Sequence, residues 1–320
     1  ECRSDQKIAA DFLSFFQSDS SDRVASEVEP TRLTGGFDAR IYRYKLIDHE
    51  PRVLRILRPE HDVEELLYLQ VVHQILNQHG LKAPVIHRVC GDQSVLGGVF
   101  AEMDLVPGQP LIEQKSEVCT SILGKSMAAM HELDVRPIVK AIRRSGVPYE
   151  RFLSPAIHQK GLDLAEQKIP WASDLIGWLR DHFPLDGQDL AVIHGDYHGR
   201  NVMFENGSIS GVLDWGFCIS DPAIDLARTM NIHLVLSRQI DPAMSRQFLV
   251  QTMDEVLKAY QAIRPLNHER IKACRVADIF RFLVGSAAGV GPEFIRKPES
   301  QRDYLTFIEQ TTGIRLSPSA

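Results

Sequence analysis

The sequence predicts an α+β chain of two lobes, a small β-rich first lobe and a larger, mainly helical second one. Three observations carry that expectation. Strand-type patterns crowd residues 30–57, helical spacing dominates beyond residue 110, and a Pro/Gly cluster, Val106-Pro107-Gly108-Gln109-Pro110, separates the two regions. The domain reading is therefore 1–105 for the first lobe and 106–320 for the second. A chain of 320 residues is long enough to bury a core in each. No internal repeat or low-complexity stretch interrupts it.

Residues 6–17 read as a short amphipathic helix, followed by a polar Ser/Asp linker at 18–22. Leu33-Thr34-Gly35-Gly36-Phe37 reads as a glycine turn. Ile41 to Leu46 alternates at period two, and Val53 to Leu57 is a buried-type strand. From 62 to 79 the period becomes helical, with Leu66, Leu69, Val72 (or Val71) and Leu76 on one stripe and Gly80 where a helix ends. Residues 84–86 and 98–101 are strand candidates. In the second lobe, helices are expected over 117–132, 248–263 and 271–287, with Leu249, Met253, Val256, Leu257, Tyr260 and Ile263 forming a clean stripe. The exception is 190–214, which reads as strand, loop and hairpin.

Composition excludes several classes. With 36 Lys/Arg against 42 Asp/Glu the formal charge is −6, the opposite of what a phosphate-reading nucleic-acid surface needs. No apolar run approaches the roughly 20 residues of a membrane-spanning helix, so no membrane partner is expected. Five cysteines, odd in number and without a Cys-x-x-Cys spacing, point to a reducing, cytoplasmic compartment.

The chemistry concentrates in residues 192–228. Asn206-Gly207 between two apolar runs signals a type I′ hairpin, whose two central residues both need positive φ. With those two as the turn, Asp214 falls opposite Gly199, two residues from Asn201, while Asp196 arrives from the preceding loop. Two hard oxygen ligands and a nearby carboxylate suit Mg²⁺, which binds through few protein groups and keeps its remaining positions for water and substrate phosphates. The order matches the phosphoryl-transfer template: a loop Asp, an Asn five positions on, and a second Asp at the end of a later strand. Here these are Asp196, Asn201 and Asp214, with Asp214-Trp215-Gly216 standing 18 residues beyond Asp196.

Through His194-Gly195-Asp196-x4-Asn201, Leu213-Asp214-Trp215 and Asp221-Pro222-x2-Asp225-Leu226-Ala227, the chain resembles the aminoglycoside phosphotransferase/choline kinase family of small-molecule kinases. The likeness covers about residues 30–230. It implies a two-lobed, protein-kinase-like fold and ATP-dependent transfer of the γ-phosphate to a small-molecule hydroxyl (antibiotic, sugar or amino alcohol). It assigns Asp196 as the group that orients and deprotonates the acceptor, and Asn201 and Asp214 as Mg²⁺ ligands. Gly35-Gly36 would form the nucleotide loop, and Arg55 would hold the α/β-phosphates where relatives carry Lys. Glu65, or Glu64, would pair with Arg55, and Met103-Asp104-Leu105 would offer backbone groups to adenine. His194 and Asp225 are expected to brace the catalytic loop. Asp221-Pro222 reads as a helix N-cap followed by Pro at N1.

Other readings weigh less. A regulatory pseudokinase is the alternative function, favoured only by Arg55. A zinc site at His194, Asp196 and His198 lacks the further ligands such sites need. Gly124-Lys125-Ser126 resembles the end of a phosphate-binding Walker loop, but the motif's first Gly is Cys119 and the stretch has helical spacing. A protein-kinase reading fails because Gly195 replaces the expected Arg and only seven positions separate Asp214 from Asp221. From residue 231 onward nine acidic residues face twelve Lys/Arg, which disfavours a polycationic aminoglycoside.

Overall fold

The computed structural model describes residues 4–19, 31–33, 39–45, 50–148, 154–184, 189–237, 241, 243–289 and 293–317. The chain divides into two compact units. The first holds Glu1–Gly108, Arg144–Val147 and Met203–Leu213; the second holds Gln109–Arg143, Pro148–Val202 and Asp214–Ala320. The main division thus falls inside the Pro/Gly cluster, three residues later than the boundary read from the sequence.

The first unit is a five-stranded antiparallel sheet in the order β1 (Thr31–Leu33), β2 (Ala39–Tyr44), β3 (Arg52–Leu57), β5 (Phe100–Asp104), β4 (Ile86–Cys90). Side chains alternate across it. One face presents Tyr42, Tyr44, Leu54, Ile56 and Phe100 to helix α1 (Asp5–Asp19), which buries Ile8, Phe12 and Phe16 at four-residue spacing. The other face carries Val53, Leu57, Ala101 and Met103 and packs with Leu66 of helix α2 (Val63–Gln78). Glu102 points to the α1 side and is fully buried, so its charge needs partners. Tyr44 donates to Oε2 at 2.6 Å, and Arg88 and Arg52 lie 2.9 and 3.7 Å away. Asp62 caps α2 through the Glu64 N–H, and Gly80 follows its end at φ 82°. A four-residue helix, α3 (Gln93–Leu96), has no counterpart in the sequence reading.

Strands β8 (Val202–Glu205) and β9 (Ser208–Val212) form the expected hairpin. Asn206 at φ 50° and Gly207 at φ 82° supply the positive dihedrals that a primed turn requires. The sequence reading put this hairpin in the helical lobe; residues 203–213 instead belong to the first unit. The reason lies in its bonds: Val212 N–H donates to Lys82 O at 2.8 Å, and Ser210 Oγ donates to Pro107 O at 2.5 Å.

The second unit is mainly helical: α4 (Ser116–His131), α5 (Val135–Arg144), α6 (Ser154–Lys168), α7 (Ser173–His182), α8 (Ala223–Asn231), α9 (Arg246–Gln261), α10 (His268–Ala287) and α11 (Pro298–Thr312). One of its cores gathers Leu162, Leu175, Leu179, Ile279, Phe280, Tyr304 and Ile308 from α6, α7, α10 and α11. Helix α9 packs closely on α4 at Gly124, where an added Cβ would lie 2.3 Å from Val256 O. That close approach is the use of the glycine in Gly124-Lys125-Ser126, which lies within helix α4. Between the helices, β7 (Ala191–Ile193) pairs antiparallel with β10 (Cys218–Ser220), aligning Ile193 with Cys218.

Candidate active site

The site is built around the end of β7. Its three residues are wholly buried, so the chain leaves the core at His194 with little freedom. Gly195 turns the backbone at φ 87°, beside Gly216, whose N–H donates to His194 O at 2.9 Å. The imidazole of His194 lies against the Trp215 ring, 4.7 Å between centroids, and its Nδ1 accepts the Asp196 N–H at 3.1 Å. These contacts bring the 194–196 and 214–216 segments together, so Asp214 enters the site next to the loop that carries Asp196.

Asp225, in the first turn of α8 and fully buried, accepts the His194 and Gly195 N–H groups at 2.7 and 2.6 Å. His131 lies 3.2 Å from the same carboxylate and 2.9 Å from the Tyr260 hydroxyl. Tyr197 is held on its other side: its hydroxyl donates to Ser126 Oγ at 2.7 Å, and its carbonyl accepts from Thr229 at 2.6 Å. Asp221 accepts the Ala223 N–H at 2.9 Å, capping the helix start, and pairs with Arg270. The bracing roles expected of His194 and Asp225 are therefore visible as hydrogen bonds.

The Asp196 carboxylate is about one-third exposed. Arg228 Nε donates to its Oδ1 at 2.9 Å, and His198 Nε2 is 3.3 Å from Oδ2. Burial alone would raise its pKa, but His198 and the Arg228 guanidinium outweigh burial and hold the carboxyl well below the usual range. Asn201 is buried and gives Nδ2 to the Asp196 carbonyl at 3.0 Å and to Oδ2 at 3.3 Å. Its amide nitrogen is thus committed, which leaves Oδ1 as the group available to a hard cation. Asp214 is exposed and adopts φ 54°, a dihedral uncommon for a non-glycine residue and one that recurs at functional sites. Among the described residues no group of three or more His, Cys, Asp or Glu could hold a metal ion.

The remaining candidates lie in the first unit. Arg55 sits mid-strand in β3, opposite Ile41 and Ala101, on the face that carries Val53 and Leu57. Glu65, in the first turn of α2, is half exposed and meets His61 Nδ1 at 2.9 Å; Glu64 accepts from the Tyr68 hydroxyl at 3.2 Å. Met103 is buried in β5, aligned with Val53 and Ile86. Beyond it, the Leu105 N–H makes only a long, weak bond of 3.4 Å to Pro51 O. Gly35 and Gly36 fall outside the described residues. Sequence reasoning gave Arg228 no role, although it follows the Asp225-Leu226-Ala227 motif directly. Its partners Asp196 and Asp278 lie 32 and 50 positions away, and such separations leave no periodic trace.

Comparison with known proteins places the fold and the family. The chain is 24% identical over 259 residues to the probable acyl-CoA dehydrogenase IBR3 of Arabidopsis thaliana. That match takes in 73% of this chain but 31% of the plant protein, so the chain spans about a third of that relative's length. Among solved structures it is similar to the ethanolamine kinase of Plasmodium vivax, with a TM-score of 0.62 at 13% identity over 95% of this chain and 87% of the kinase. It is also similar to an amicoumacin kinase solved in complex with AMP-PNP, Ca²⁺ and Ami, with a TM-score of 0.62 at 14% identity over 93% and 92% of the two chains. These likenesses show the kinase-like fold expected from the sequence. The family profile described as "Phosphotransferase enzyme family" matches residues 29–266, and the chain therefore belongs to that family.

Proposed function

We propose that the chain transfers the γ-phosphoryl group of Mg·ATP to the hydroxyl of a small molecule. The observation that carries this reading is the Asp196–Asn201 pair on a loop fastened by Asp225, with Asp214 entering beside it. Asp196, held ionised, accepts the hydrogen bond of the acceptor hydroxyl, aligns it, and takes its proton as the new O–P bond forms and the bond from the γ-phosphorus to the β,γ-bridging oxygen breaks, with ADP as the leaving group. The donors suit a hard cation: the Asn201 amide oxygen is left available, and the Asp214 carboxylate is exposed. Asn201 and Asp214 would hold magnesium there, and the ion would supply positive charge against the negative charge that develops on transfer. Arg55 would hold the α/β-phosphates, steadied by Glu65 or Glu64, with Gly35-Gly36 over the triphosphate and Met103–Leu105 along the adenine. Because the transition state is loose and its charge is spread, the protein contributes positioning and electrostatics.

Intact Asp196, Asn201 and Asp214 speak against a regulator that has lost turnover. The twelve Lys/Arg against nine acidic residues beyond 231 favour an acceptor that is not a polycation. Macrolides, sugars, amino alcohols and acyl-type hydroxyls fit that limit, the last in keeping with the acyl-CoA dehydrogenase likeness. No described helix is long and apolar enough to cross a membrane, and Cys119 and Cys274 are free thiols. The test is ADP release over a panel of such hydroxyl compounds, with Asp214→Ala as the blank. Acceptor-dependent release in the wild type alone supports the reading; equal release in both proteins refutes it.

A further inference from the structure

Arg228 links the candidate catalytic carboxylate to a second acidic residue deep in the helical unit. Its Nε donates to Asp196 Oδ1 at 2.9 Å, its Nη1 lies 3.4 Å from Asp278 Oδ1, and its guanidinium stacks over the Phe282 ring at 5.2 Å. Asp278 is itself fixed: Asn231 Nδ2 donates to its Oδ2 at 3.0 Å and Arg281 Nη2 to its Oδ1 at 3.0 Å. Asp278 and Phe282 stand one turn apart on α10, so a single helix face supplies both the anion and the aromatic platform. On α8 the spacing is equally economical. Asp225 grips the backbone of His194 and Gly195, and Arg228, three residues on, grips the side chain of Asp196. One helix thus fixes both main chain and carboxylate.

A tie between helices would not account for this arrangement. The α8–α10 junction already has its own polar fastening, in which Asn231 Nδ2 donates to Arg275 O and Arg275 Nε donates to Asn231 Oδ1, both at 3.0 Å. The Arg228 Nε bond leaves that junction and ends on the catalytic loop. With Oδ1 engaged, Oδ2 is left to receive a hydroxyl, its contacts to His198 and Asn201 both being long at 3.3 Å.

We propose that Arg228, buttressed by Asp278 and Phe282, is a positioning residue that sets the orientation of the Asp196 carboxylate toward the acceptor. The proposal rests on the phosphotransferase reading. Its physical basis is that a reaction driven by alignment loses on the order of 100-fold in rate when a reacting group is displaced by about 1 Å. A planar fork can hold two carboxylates at a fixed angle, whereas the ammonium of Lys supplies charge without that geometry.

The experiment compares wild type, Arg228→Gln, Arg228→Lys, Asp278→Asn and the Arg228→Gln/Asp278→Asn double variant. It uses whichever of ethanolamine, erythromycin, glucose or 3-hydroxybutyrate supports ADP release by the wild type. Arg228→Gln is expected to lower kcat by about 100-fold with KM for ATP changed by less than about threefold, and Arg228→Lys to fall in between. The double variant is expected to be no slower than Arg228→Gln, because Asp278 acts through Arg228. Unchanged kcat with a lowered unfolding temperature would make Arg228 a structural tie and overturn the proposal. A raised KM for the acceptor at unchanged kcat would make it an acceptor-binding group and overturn it equally, as would additive losses in the double variant. A crystal structure of Arg228→Gln decides the matter without turnover: the Asp196 carboxylate should leave its wild-type rotamer, and an unmoved carboxylate refutes the proposal. Absence of any acceptor-dependent ADP release by the wild type counts against the phosphotransferase reading, while the Asp196 rotamer still judges Arg228.

Discussion

At the scale of single residues, the site depends on groups that never meet the acceptor. Asp225 satisfies two buried backbone N–H groups with one charged side chain, and charge-assisted bonds of this kind are among the stronger ones available. Asp225→Asn keeps the shape, removes the charge and turns one acceptor into a donor facing an N–H. The expected loss is about 3 kcal/mol of stability, read from the midpoint of chemical denaturation, together with slower turnover. A variant unchanged in both would show that the loop holds itself. His194 and Asp225 were legible in the sequence because they stand beside the motif residues. The Arg228–Asp278 contact was not, since it joins residues 50 positions apart.

At the scale of elements, the hairpin is the clearest case of local sequence dictating local structure. Gly207 at φ 82° sits where a side chain is strained, so Gly207→Val should cost about 1–2 kcal/mol. Asn206→Gly, at φ 50°, should stay within about 0.5 kcal/mol of wild type, since Asn already tolerates that region. Equal effects of the two substitutions in a denaturant titration would contradict the assigned turn. The same local logic made α2, α4, α9 and α10 readable, each from an apolar stripe at helical spacing. Helices α6 and α7 were not individually read: Pro155, Gly161 and Pro170 break their pattern, and their apolar residues acquire meaning only in the shared core with α10 and α11. Strand β10, three residues long, owes its pairing to β7 some 25 positions earlier, beyond any local signal.

At the scale of the whole molecule, two ionisations tie stability to pH from opposite sides. Burial, reinforced by the bond to Asp5, pushes the Tyr42 hydroxyl up to about 12. Its contribution is fully present below the unfolded value of about 10 and is lost as pH rises toward 12. Tyr42→Phe should therefore show a shallower alkaline decline in stability than wild type, and an identical decline would remove the assignment. Asp196 acts in the other direction: its depressed pKa contributes stability above the unfolded value of about 3.9, lost as pH falls below it. The two-unit division was legible from the shift in composition at the Pro/Gly cluster. The assignment of 203–213 to the first unit was not, because it depends on bonds from Lys82 and Pro107 made about a hundred positions away.

In the proposed reaction Asp196 acts on the acceptor and not on the nucleotide. Asp196→Ala, measured by acceptor-dependent ADP release alongside calorimetry of Mg·ATP binding, separates the two. Turnover should fall by at least about 100-fold, with nucleotide affinity within about threefold of wild type. Turnover near that of the wild type, or nucleotide binding lost together with activity, would contradict that role.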